Sequence, residues 1–155
     1  MKTLIAFYSR TGTTKKVAAA LAEKLGAQIE ELKDTVDRSG TGGYFLSGRD
    51  AATRRLTKLA PAKFNPADFD LVIVGTPIWA WNLSAPVRTY LTEQKNNFKK
   101  VVFFCTMGGS GDERAAQEAE QIIGQKFSAH LALTTREVVK NEFAEKVDKF
   151  ISDIK

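Results

Sequence analysis

Three short stretches of this chain are apolar on every side. "TLIAFY" (3–8), "DLVIVG" (70–75) and "KVVFFC" (100–105) each run through their centres without the polar alternation of a half-wet strand. A strand of that kind has to be covered on both faces, which is the habit of parallel sheets in α/β proteins. Between the runs the period changes. "TTKKVAAALAEKLG" sets Val17, Leu21 and Leu25 four apart on one helical face and closes on Gly26, a residue suited to ending a helix. Buried strands separated by amphipathic helices imply an α/β protein with helices on both sides of a parallel sheet.

The remaining segments fit that plan. "AQIEEL" (27–32) alternates as a strand, and "AHLALTT" (129–135) supplies a last one. Helices are expected near 84–95, 111–124 and 141–154, where Phe143, Val147, Phe150 and Ile154 follow the i, i+4, i+7, i+11 pattern. The expectation is a five-stranded doubly wound sandwich in one domain, residues 1–155. Residues 35–60 are the irregular part: glycines and serines first, then a short helix expected around 49–59. That connection is long for its place, so it either folds over something or carries function.

Residue counts remove several kinds of chemistry. A single cysteine, Cys105, forms no internal disulfide and no cysteine-cluster metal site, and a single histidine, His130, leaves little for a zinc site or a triad. Cys105 ends a buried strand, so a core role is favoured over a nucleophilic one. No segment has the run of about 18 apolar residues that spans a membrane. "MKTLIAFYSR" reads as a first strand and not as a secretion signal, so the protein is expected in the cytoplasm. The net charge of +5, without a basic run or interleaved aromatics, does not argue for nucleic acid.

In a doubly wound sheet, ligands bind beyond the carboxyl ends of the strands. Three loops meet there. The first, Ser9, Arg10, Thr11, Gly12, Thr13 and Thr14, opens a helix with hydroxyls and a glycine, a setting suited to a phosphate. It lacks the Lys-Ser/Thr of a Walker A loop and the G-x-G-x-x-G of a dinucleotide fold, and plain helix capping is the competing reading. The second, "GTPIWAWNLSAPVRTYL", carries Trp79 and Trp81 beside Pro77 and Asn82, a surface for a flat aromatic ligand; Ser84 is its candidate helix cap, with Pro86 in the first turn. The third, "CTMGGSGDERA", offers Thr106, Gly108, Gly109, Ser110 and Gly111, a donor-rich loop into a helix that is either turn geometry alone or open to close backbone approach by a flat ligand. A phosphate at one end and a flat ring at the other describe a mononucleotide-like cofactor, and FMN fits both halves.

These stretches resemble the flavodoxin-like FMN proteins over nearly the whole chain. "FYSRTGTTKKVAAAL" is similar to their phosphate loop, with Ala6 where a larger residue is usual; "VGTPIWAWNLSAPVRTYL" and "CTMGGSGD" are similar to their second and third flavin loops. The resemblance implies the short-chain form, with strand order 2-1-3-4-5. It implies that Ser9, Arg10, Thr11, Gly12, Thr13 and Thr14 hold the FMN phosphate. It also implies that Thr76, Pro77, Ile78, Trp79, Ala80, Trp81 and Asn82 line the ring and ribityl side, and that Thr106, Met107, Gly108 and Gly109 meet the pyrimidine end. No catalytic side chain and no metal is implied.

Two departures bear on function. The carriers of this family are acidic, and this chain is basic. Segment 35–60 holds Arg38, Arg49, Arg54, Arg55 and Lys58 against Asp37 and Asp50, either a solvated face or an anion-attracting patch. Ala80 stands where the carriers place a glycine whose peptide turns over on reduction, so less support for one-electron chemistry is expected. The implied activity is electron transfer with a redox partner protein. The alternative is an oxidoreductase using NAD(P)H and a small acceptor such as a quinone. A flavin-free signalling or phosphatase domain of like topology would need acidic residues or a cysteine after the first strand, where Tyr8 and Ser9 stand. Tyr44 or Phe45 is a candidate cover for the outer flavin face.

Overall fold

The computed structural model describes residues 1–155. Strands β1 (Thr3–Phe7), β2 (Gln28–Glu31), β3 (Leu71–Trp79), β5 (Val101–Met107) and β6 (His130–Thr134) form a parallel sheet in the order β2-β1-β3-β5-β6. Counting parallel strands alone, this is the expected 2-1-3-4-5. A two-residue strand, β4 (Asn82–Leu83), turns back antiparallel on the end of β3.

The uninterrupted runs are buried on both sides, as their composition requires. Leu4, Ala6, Val72, Val74, Phe103 and Cys105 point to one face, where α3 (Ala85–Gln94) and α4 (Asp112–Ile123) lie. Ile5, Phe7, Leu71, Ile73, Val102 and Phe104 point to the other, against α1 (Thr13–Leu25) and α6 (Ala144–Ile154). Gly26 ends α1, and Val147, Phe150 and Ile154 are buried as their spacing predicts. Cys105 is fully buried, and burial pushes its thiol well above the usual range, which leaves it unreactive.

One expectation is corrected. The helix expected at 49–59 is instead α2 (Gly40–Ala52), and the chain from 53 to 65 is irregular. The glycines at 40, 42, 43 and 48, poor helix formers, concealed it from a propensity reading. The helix expected at 141–154 is α6, and ahead of it lies a short helix that was not expected, α5 (Thr135–Val139), which opens on a Thr134–Glu137 capping box and ends before a turn at Asn141. No helix is long and apolar enough to cross a membrane, and no three His, Cys, Asp or Glu residues gather to hold a metal ion.

Candidate functional site

The carboxyl ends of β1, β3 and β5 open into one cleft of about 670 Å³, inside the range of about 300–1,000 Å³ typical of small-molecule sites. Three walls come from the expected loops. The fourth is α2.

The first wall is the start of α1. Gly12 is its N-cap with φ near +98°, a backbone state that suits glycine. The Ser9 hydroxyl accepts from Gly12 N–H at 3.0 Å and Lys15 N–H at 3.2 Å. The N–H groups of Thr11, Thr13 and Thr14 donate to nothing within the chain. Three open donors at the positive end of a helix are an anion cradle. The Thr14 hydroxyl meets that of Thr106 at 2.8 Å, which ties this wall to the third loop.

The second wall is the β3–β4 hairpin. Its two tryptophans do different work. Trp79 is pinned from behind, with Tyr8 edge-on at 5.5 Å and the Arg38 guanidinium 5.5 Å from its ring centre. Trp81 is 61 % exposed at the rim, and its Nε1 donates to Ser110 Oγ at 3.2 Å. The turn between them is Ala80–Trp81, and both residues have positive φ, 46° and 61°. Two-residue hairpins favour this geometry, but usually with Asn or Gly in it. An L-residue there costs roughly 1–2 kcal/mol. Ala80→Gly is therefore expected to stabilise the chain by about 0.5–1 kcal/mol, read as a higher urea midpoint at unchanged slope.

The fourth wall, α2, brings Tyr44, Phe45, Ser47, Gly48 and Arg49 to the cleft. It is fastened by charge. Arg38 is buried, with Nε on Asp34 at 2.6 Å and Nη1 on Asp50 at 3.0 Å, while Arg49 Nη2 reaches the other Asp50 oxygen at 2.8 Å. Burial opposes ionisation of Asp50, but bonds from Arg49 and Arg38 outweigh it and hold the carboxyl below its usual range. Arg38, read from sequence as part of a basic surface, is thus an internal tie.

Among the expected site residues, Arg10, Thr11, Thr13, Thr14, Pro77, Ile78, Trp79, Ala80, Trp81, Thr106, Gly108 and Gly109 line the cleft. The others stand behind it. Ser9 and Gly12 shape the α1 start. Thr76 is buried with its hydroxyl 2.9 Å from that of Ser84, which occupies the N-cap of α3 without making a side-chain cap bond. Asn82 is buried and braces the turn through Nδ2 to the Ala80 carbonyl at 3.1 Å. The Met107 carbonyl accepts from the Thr135 hydroxyl at 3.2 Å. Ser47, Gly48, Arg49 and Thr135 line the cleft without having been expected there, while Ser110 joins it from the third loop as read. The first three sit on the helix whose boundary was misplaced.

The sequence model of the flavodoxin family matches residues 2–150. No curated protein matches the sequence. The fold is similar to a flavoprotein from Lactobacillus acidophilus solved in complex with FMN (TM-score 0.72, 23 % identity, 90 % of this chain and 97 % of that one). It is also similar to a flavoprotein from Bacteroides eggerthii (TM-score 0.72, 20 % identity, 97 % and 98 %). A third likeness is two-electron reduced flavodoxin from Megasphaera elsdenii (TM-score 0.56, 22 % identity, 94 % and 93 %). The helix start with open donors, the aromatic hairpin and the match along almost the full length agree: this chain belongs to the flavodoxin family.

Proposed function

We propose that the protein binds FMN in this cleft and works in electron transfer, in the cytoplasm, with a redox partner. The observation that carries the reading is the pairing of an uncharged anion cradle with an exposed indole across one cleft. Thr11, Thr13 and Thr14 would hold the phosphate, on a loop shaped by Ser9 and Gly12. Pro77 to Trp81 and Thr106 to Gly109 would flank the ring, with Tyr44 or Phe45 covering its outer face. Bound FMN supplies reversible electron uptake; the protein holds the ring, keeps water from it and sets its surroundings. No side chain of the cleft wall is a carboxylate or a histidine, so the walls bind and orient without acid–base chemistry of their own.

Visible spectroscopy and thermal unfolding of the apoprotein with added FMN test this. FMN at a hundred times its Kd is expected to add about 2.7 kcal/mol of stability. Riboflavin, which lacks the phosphate, should bind much more weakly. Absence of flavin binding at micromolar concentration, or equal affinity for riboflavin, would overturn the reading. Oxidation of NAD(P)H with reduction of a quinone is the second reading, favoured by the two arginines on the cleft wall. Bleaching of bound flavin by anaerobic NADPH separates the two.

A further inference from the structure

A second cavity, of about 500 Å³, shares no lining residue with the cofactor cleft. It lies at the outer edge of the sheet, between β2, the C-terminal half of α3 and the chain from 59 to 63. Its volume too is that of a small-molecule site. Glu30 lines it from a position where the fold calls for an apolar residue: it stands in register with Ala6 of β1, on the face that buries Ala6 and Leu32. It is 5 % exposed, and no cation of the chain pairs with it. Its Oε2 accepts the N–H groups of Lys63 at 2.8 Å and Phe64 at 3.1 Å, which fastens the loop to the strand, and its Oε1 accepts no hydrogen bond. A buried carboxylate is ordinarily answered by a cation.

Tyr90 of α3 lines the same cavity. It is 2 % exposed, its ring centre is 6.2 Å from that of Phe98, and its hydroxyl has no hydrogen-bond partner. Burial first, and then the charge of Glu30, push the phenol up, so it stays neutral within the field of that carboxylate. A buried hydroxyl left unpaired is unfavourable until a ligand completes it. The surroundings favour positive charge. Glu93, in the last turn of α3, lines the cavity without an ion pair, that turn holds no basic residue, and the Lys95 cap is exposed and outside the cavity. The C-terminal end of a helix attracts cations. Lys33 and Lys63 line the cavity as well, but both are exposed and neither pairs with a carboxylate. Leu59 and Pro61 add apolar surface.

We propose that this cavity binds a small aliphatic amine, its ammonium donating to Glu30 Oε1 and the Tyr90 hydroxyl and its alkyl chain lying along Leu59 and Pro61. An ammonium carries three donors and the charge that Glu30 lacks a partner for. The site stands apart from the flavin cleft and does not depend on what that cleft holds.

The test is amide NMR of the full chain, as purified, titrated with n-butylammonium chloride at constant ionic strength. The controls are 1-butanol, the uncharged isostere, and potassium chloride, the charge without the chain. Saturable shifts are expected at the amides of Lys63, Phe64 and Tyr90, with a Kd of about 1 mM. Butanol should bind at least about tenfold more weakly, and potassium should not saturate. Glu30→Gln retains an acceptor for the two loop N–H groups and is expected to weaken butylammonium about tenfold. Tyr90→Phe is expected to weaken it about threefold while leaving the melting temperature unchanged or higher, because it removes an unpaired buried hydroxyl. That variant keeps the test decisive if Glu30→Gln fails to fold. No saturable shift up to about 20 mM, equal binding of butanol, or indifference to Glu30→Gln overturns the site. A clear fall in melting temperature for Tyr90→Phe would mean that water already completes the hydroxyl, and overturns its part in the site.

Discussion

Arg88→Met is expected to destabilise the protein by about 3–5 kcal/mol, the range for breaking a buried ion pair from one side. Arg88 is 4 % exposed on α3 and reaches three elements at once. Its Nε lies 2.6 Å from Glu118 of α4. Its Nη1 donates to the carbonyls of Arg55 at 3.0 Å and Asp50 at 3.4 Å, and Nη2 to those of Ala51 at 3.3 Å and Leu83 at 3.1 Å. The carbonyls of Asp50 and Ala51 at the end of α2, which also accept from the Arg55 and Arg54 N–H groups, thus face a cation placed where the helix dipole favours one. Removing it strands Glu118, whose other oxygen accepts the Leu83 N–H at 3.3 Å, in an apolar setting. The melting temperature should fall by roughly 10 °C or more. A double variant, Arg88→Met with Glu118→Met, should recover a large part of the loss, because the cost lies in the unpaired charge. A single-variant loss under about 1 kcal/mol would show that the pair contributes little.

Gly43→Ala is expected to cost about 1–3 kcal/mol and to weaken cofactor binding about tenfold. A Cβ at Gly43 would fall inside the van der Waals surface of the Arg38 main chain, against its carbonyl carbon and oxygen. Main chain cannot swing aside as a side-chain tip does, so α2 would have to tilt away from Arg38, and the outer wall would move with it. The neighbouring position is the control. Nothing lies within 4 Å of a Cβ at Gly42, and its backbone is not left-handed. Gly42→Ala should therefore stabilise α2 by about 0.5–1 kcal/mol through helix propensity alone. Urea midpoints and FMN titrations on the two variants decide it. Equal effects at both positions would mean that the approach to Arg38 is not what sets the helix.

The parts legible in the sequence share one physical cause. "TLIAFY", "DLVIVG" and "KVVFFC" need apolar contact on both faces, which a covered parallel sheet provides, so the sheet and the meeting of three loops at its edge followed, while the strand order came from the resemblance. The first loop was readable because open N–H groups at a helix start are a local property. The less legible parts depend on tertiary contacts. α2 carries four glycines and has weak helix propensity, and it is held from elsewhere in the chain by Arg38, which pairs with its Asp50, and by Arg88, which meets its last carbonyls. No local pattern announces those bonds. Trp79 and Trp81 looked equivalent because nothing nearby distinguishes an indole pinned by Tyr8 and Arg38 from one left at the rim. Ala80 was legible in a narrower way. The resemblance sets it where the carriers have a glycine, and its backbone is left-handed.

The way α2 is held bears on how the molecule opens. Its buried residues are Gly43, Ser47, Asp50 and Ala51, with no large apolar side chain among them. The strands beside it bury whole runs of Leu, Ile, Val and Phe. Regions with few buried apolar contacts detach at lower free energy than the core and do so as a unit. Amide protons of α2 should accordingly exchange with deuterated solvent well before those of β1, β3 and β5. A helix that lifts while the sheet stays closed gives the cleft a door, and loading or losing a cofactor then requires no global unfolding.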